Sequence, residues 1–211
     1  MAATTPPRRP QARLSRDRIV DAAIALIERD GPDALSMRRL GSELGVEAMS
    51  LYHHVPNRAE LLSAVSERML APLQAIEFER GGREACRSLA HALRGIAIAH
   101  PATFSLVGVR PLNGPAVLRV VERLLAVLVA DGFGARDALA VYRAVASYAR
   151  GYALAEAVGF TIDASDPGAR NRLEALSSSE YPILSGRATE LSTLDADSGF
   201  ERGLDALLVS L

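Results

Sequence analysis

The chain has 211 residues, a formal net charge of −1, one cysteine and no tryptophan, long enough to bury a core without outside staples. Cys86 alone cannot build the disulfide framework of a small secreted protein. "MAATTPPRRPQAR" lacks the apolar core of a signal peptide, and no later stretch stays apolar long enough to cross a bilayer. A cytoplasmic chain with no membrane partner, cofactor or metal is therefore expected. Abundant alanine and leucine favour helices, so the expected fold class is all-α.

The near-neutral total conceals a local excess. Arg8, Arg9, Arg13, Arg16 and Arg18 face only Asp17 at the start, in a Pro/Arg-rich segment without apolar periodicity that reads as a disordered basic arm over residues 1–14. Ser15 is a candidate N-cap for a helix with Ile19, Ala22, Ala23, Leu26 and Ile27 on one face, stopped by Gly31-Pro32. A second helix should follow Ser36 and end at Leu44, with Gly45 making a sharp turn and Val46 plugging inward. A third should occupy Ala48 to His54, with Val55 as its boundary because the residue before Pro56 is pushed out of helical conformation. Asn57 then caps a fourth, with Glu60 in capping-box position and Leu61, Leu62, Val65 and Met69 inward.

Beyond these, long helices are predicted at about Arg83–His100, Ala116–Asp131 and Ala135–Val158, punctuated by Pro101, Pro115 and Gly132-Phe133-Gly134. The second, within "AVLRVVERLLAVLVADGF", is apolar on nearly all sides and should lie central. Thr161–Gly199 reads as a long, mobile connection with one short helix near Arg172, and "FERGLDALLVSL" as a closing amphipathic helix carrying Phe200, Leu204, Leu207, Leu208 and Leu211.

"SMRRLGSELGVEAMSLYHHV" has the layout of a helix-turn-helix, whose second helix enters the major groove. Leu40, Leu44, Val46 and Leu51 can meet behind the turn, leaving Ala48, Met49, Ser50, Tyr52, His53 and His54 outward or beside the groove. Ala48 and Met49 suit thymine methyls, Ser50 can donate or accept, and Tyr52 and the histidines can reach phosphates or bases. Together with "IVDAAIALIERDGPDALSMRRLGSELGV" and "SLYHHVPNRAELLSAV", the stretch from Arg18 to Met69 resembles the DNA-binding domain of the TetR family of repressors. The resemblance places Arg38 at the start of the brace helix, Met49, Ser50, Tyr52, His53 and His54 on the recognition helix, and Arg58 at a phosphate-holding helix start. Ala48 and Asn57 complete the candidate DNA-binding set. Gly41 departs from the family, which often has alanine there; glycine keeps the helix crossing small at about 1 kcal/mol of helix propensity.

Arg110-Pro111, "VLVADGF", "ALAVYRAVASYARGYALAE" and "FERGLDALL" extend the resemblance more weakly into the family's ligand domain. It implies double-stranded operator DNA and a small-molecule effector as partners. Leu89, Leu93 and Leu106 fall where tetracycline repressors hold drug and magnesium with polar or aromatic groups, so a mostly apolar effector other than tetracycline is implied. With them, His100, Phe104, Glu122, Tyr148 and Tyr152 are the candidate effector-binding residues. Ala138, Ala140, Ala144, Ala146, Ala149, Gly151 and Ala153 make the Ala135–Val158 helix thin, which predicts that it and the final helix pair with their copies in a four-helix homodimer interface. The expected organisation is a helix-turn-helix domain over 15–60 and a larger helical effector-binding and dimerisation domain over 61–211.

Other readings remain beside these. Tyr52, His53 and His54 could cap a hydrophobic cluster; as metal ligands the adjacent histidines would point about 100° apart, whereas helical metal pairs prefer i,i+4 spacing. Tyr148 and Tyr152, one turn apart, suit a core as well as a pocket. No phosphate loop, nucleophile elbow or spaced metal-ligand set supports an enzyme. A helical adaptor of the same fold, binding protein instead of DNA, stays open.

Overall fold

Side-chain caps start three helices of the N-terminal unit where the sequence predicts them. In the computed structural model, which describes residues 13–78, 81–108, 114–160, 162 and 165–209, Ser15 Oγ accepts the Arg18 N–H at 3.3 Å and opens α1 (Arg16–Asp30). The basic arm through residue 12, Arg110-Pro111 and Leu211 lie outside the described residues. A short 3-10 turn, Pro32–Ala34, leads to Ser36, whose Oγ accepts the Arg39 N–H at 3.2 Å to start α2 (Met37–Leu44). Gly45 sits at φ 68° and ψ 31°, a left-handed conformation open to glycine without steric cost, and α3 (Ala48–Tyr52) follows at once. Asn57 Oδ1 accepts the Glu60 N–H at 2.9 Å at the head of α4 (Arg58–Leu70).

Ile19, Val20, Ala23, Leu26 and Ile27 of α1 are buried, as are Leu40, Leu51, Val55, Leu61, Leu62 and Val65, so the first unit owns a small apolar core. Leu44 and Val46 are only half-buried; the turn is sealed mainly by Leu40 and Leu51. Chain contacts divide the protein between Val65 and Ser66, inside α4, beyond the boundary at Glu60 expected from sequence.

The second unit contains α5 (Gly82–Ala99), α6 (Pro101–Val107), α7 (Pro115–Ala130), α8 (Ala135–Val158), α9 (Ala169–Glu174), α10 (Pro182–Gly186), α11 (Ala188–Leu191) and α12 (Ala196–Leu207). No strand occurs among the described residues, and the fold is all-α. α8 packs along α5 most extensively and also receives α6, α7 and α12. No described helix is long and apolar enough to cross a membrane.

Several sequence expectations change here. α7 is not central: Val117, Val120, Leu124 and Leu128 are buried on one face, while Leu118 and Val129 are about half exposed. Its apolar composition misled because valine and leucine also occupy its outer side. α6 was missed, hidden behind Pro101, which is tolerated at the first helical position. The Thr161–Gly199 connection carries α9, α10 and α11, which pack on one another, and α12 begins before it ends. Short helices of this kind bury too few residues for a periodic signal.

The small residues of α8 divide between two faces. Ala138, Ala146, Ala149 and Ala153 are buried within the chain, whereas Ala140, Ala144 and Gly151 are exposed. Tyr148 and Tyr152 donate their hydroxyls to the Phe200 and Ala196 carbonyls, both at 2.8 Å, and stand over Gly203 and Gly199. A Cβ at Gly203 would collide with the Tyr148 ring and hydroxyl. Gly203→Val should therefore lower stability by about 1–3 kcal/mol through overpacking, read as a fall in the thermal midpoint; an unchanged midpoint would show that α12 can back away without loss.

Candidate nucleic-acid interface and effector region

In the N-terminal unit, α2 and α3 cross at Gly41, where an added Cβ would lie 2.9 Å from the Val46 carbonyl oxygen and 3.2 Å from the Ala48 nitrogen. Leu51 anchors α3 inward with no exposed surface. The helical period then turns Met49 and Tyr52 outward, and they are 69% and 40% exposed, a poor arrangement for solubility that suits contact with base edges. Ala48 and Ser50 are half-buried at the flanks.

His53 and His54 are not on α3. The helix ends at Tyr52, and the His54 and Val55 N–H groups both reach the Leu51 carbonyl at 2.9 Å, winding the chain into a tight turn before Pro56. Both histidines are exposed on that turn, between α3 and the start of α4. Asn57 is exposed too, but its side-chain oxygen is engaged as the α4 cap. Arg58 opens α4, where unpaired backbone N–H groups and the positive end of the helix dipole favour an anion.

Arg38 and Arg39 are neighbours with different fates. Arg39 Nη2 is held by Asp30 Oδ2 at 2.7 Å, and the same oxygen accepts Arg29 Nη2 at 2.9 Å. Arg29 forks onto Glu43 at 2.8 and 3.2 Å. The hydrogen bonds from Arg29 hold both the Asp30 and the Glu43 carboxyls below their ordinary range, so both stay ionised. Among the described residues, neither Arg38 nor Arg58 has an acidic partner. Two cations without acids thus lie on the helices before and after α3, Arg38 in the first turn of α2 and Arg58 at the start of α4.

In the second unit the candidate effector residues do not converge. Leu89 and Leu93 of α5 are buried in the core. Phe104 lines a narrow, mostly apolar cleft with Ser66, Met69, Leu70, Val107, Gly108 and Arg150, while Leu106 is half-buried beside it in sequence. Glu122 borders a separate open groove with Gln74, Arg119 and Arg123. His100 is half-buried at the junction of α5 and α6. Tyr148 and Tyr152 belong to an aromatic cluster with Phe160 and Phe200, and burial pushes the Tyr148 hydroxyl up to about 12. Cys86 is fully buried and pushed up to about 11 by desolvation, so it stays an inert thiol.

Arg94 was missed by sequence reasoning. It is 7% exposed, forks onto Glu156 with two 2.8 Å bonds, donates to Asp197 at 2.6 Å and lies 4.9 Å from the Phe200 ring centroid. It joins α5, α8 and α12. A signal existed: Arg94 interrupts the inward stripe Leu89, Ala90, Leu93 and Ala97.

Comparison with known proteins agrees with both units. Residues 19–65 match the bacterial regulatory proteins of the tetR family, and residues 79–210 match the tetracyclin repressor-like C-terminal domain. An HTH-type transcriptional regulator of Saccharopolyspora erythraea is 34% identical over 207 residues, covering 94% of this chain and 84% of that protein. The HTH-type transcriptional repressor DrrR1 of Streptomyces coeruleorubidus is 29% identical over 219 residues, covering 97% of this chain and 81% of its own. The crystal structure of apo ActR from Streptomyces coelicolor superposes with a TM-score of 0.81 at 30% identity, covering 94% of this chain and 95% of ActR. ActR in complex with actinorhodin gives 0.80 at 29% identity, with 94% and 97% covered. With a helix-turn-helix unit and a helical C-terminal unit each matched in one chain, the protein belongs to the TetR family of DNA-binding transcriptional regulators and is not an enzyme.

Proposed function

We propose that this regulator is a repressor that binds a palindromic operator as a homodimer and is released from it by a small, largely apolar effector. The observation that carries the DNA contact is the exposed set Met49, Tyr52, His53 and His54, flanked by Arg38 and Arg58 without acidic partners among the described residues. Ala48, Ser50 and Asn57 complete the contact surface, and the domains are the helix-turn-helix unit and the larger effector-binding and dimerisation unit. Exposed Ala140, Ala144 and Gly151 on α8 allow a copy of the helix to approach closely, and two half-sites of a palindrome call for such symmetry.

The repressor DrrR1 and the ActR–actinorhodin complex support repression and ligand response. The effector is assigned to the second unit, with Leu89, Leu93, Phe104, Leu106, His100, Glu122, Tyr148 and Tyr152 as the residues to vary first. Release requires that the effector bind the DNA-incompetent conformation more tightly, since equal affinity for both states shifts nothing.

Selection of bound duplexes from a random library with the wild-type chain at moderate salt tests the reading. A recovered palindrome supports a dimer on an operator. No enrichment from a folded dimer would move the assignment to a helical adaptor that binds protein.

A further inference from the structure

We infer that Asp30 is a positioning residue that sharpens DNA specificity by withholding Arg39 from the phosphates. Arg29, Asp30, Arg39 and Glu43 form a quartet of two cations and two anions whose charges cancel, joined by contacts of 2.7–3.2 Å. The side chains of Arg29 and Arg39 are 51% and 50% exposed, so these are surface pairs that contribute little to stability. Their consequence lies in charge placement instead.

Arg38 and Arg39 share the first turn of α2 and project about 100° apart, one outward and one toward the end of α1. A released Arg39 stands near enough to Arg38 to reach the same run of phosphates. Phosphate attraction is sequence-independent, so an added cation raises binding to every duplex and narrows the ratio between operator and random DNA. Glu43 already takes both bonds of the Arg29 fork, so once the Asp30 charge is gone one carboxylate faces two guanidiniums and cannot cancel both. Removing the Asp30 charge therefore takes from Arg39 the acid that holds it and leaves one positive charge of the quartet uncancelled.

The inference rests on the duplex-binding role assigned above. The test is fluorescence anisotropy of the full chain with a labelled random-sequence duplex across a salt series, plotting log affinity against log salt. Wild type, Asp30→Asn, Arg39→Gln and the double variant are compared, with circular dichroism to confirm equal helicity. Asp30→Asn should bind random duplex more tightly, with a slope steeper by roughly 0.9 per chain, the value of one added phosphate contact. The double variant should return to the wild-type slope, and Arg39→Gln alone should leave it unchanged. A flatter slope for Arg39→Gln would overturn the inference by showing Arg39 already on the DNA, as would an unchanged slope for Asp30→Asn. A wild-type chain without salt-dependent duplex affinity would end the duplex-binding role itself, a result distinct from either.

Discussion

Tyr52→Ala should weaken binding to a selected operator by about tenfold to a hundredfold, the loss of roughly 1–3 kcal/mol that follows removal of one specific contact. The side chain is 40% exposed at the end of α3, so its truncation removes little from the core. The thermal midpoint should accordingly move by less than about 2 °C, as for a surface substitution in a chain of this length. Arg38→Ala belongs in the same experiment. A phosphate contact at Arg38 predicts an affinity loss on every duplex and a salt slope shallower by about 0.9 per chain; a base contact predicts loss on the operator with relaxed preference at one position. Wild-type affinity in both variants would remove α3 and the start of α2 from the interface.

Much of the local structure that carries this candidate interface was legible because its signals are local. Ser15, Ser36 and Asn57 each announce a helix start that a side-chain oxygen then makes, and Gly45 announces the turn that only a left-handed residue completes. The exposed row on α3 followed from Leu51 pointing inward. His53 and His54 escaped because the sequence marks Pro56 as a stop without saying how far upstream the helix unwinds; the Leu51 carbonyl, shared by two N–H groups, decided it.

The second unit was less legible, since its features depend on partners far apart in sequence. The apolar stretch of α7 looked central, but burial is set by what covers a helix, and only one face is covered. Tyr148 and Tyr152 look like pocket residues on one helix. Their i,i+4 match to Gly199 and Gly203 on α12, which commits both hydroxyls to carbonyls, shows only when the two helices are set side by side. Asp30 and Glu43 likewise read as ordinary surface acids until the helices bring them to Arg29 and Arg39.

Arg94→Met should give the largest loss of stability in the second unit, about 3 kcal/mol, seen as a fall in the thermal midpoint of roughly 10 °C. Methionine keeps most of the volume, but Glu156 loses both of its 2.8 Å bonds while only 24% exposed, and the cation over Phe200 disappears. Removing one partner of a buried pair leaves the other charge desolvated and unpaired, which costs more than the pair itself contributes. Asp197→Asn should cost far less, because Asp197 is 85% exposed and water replaces its contact. The decisive variant is Arg94→Met with Glu156→Met, which should recover most of the loss by removing the stranded carboxylate. If the double variant falls further, by the sum of the two single losses, the penalty comes from packing on α5 and α8 separately. The Arg94 charge would then contribute little to holding α12 in place.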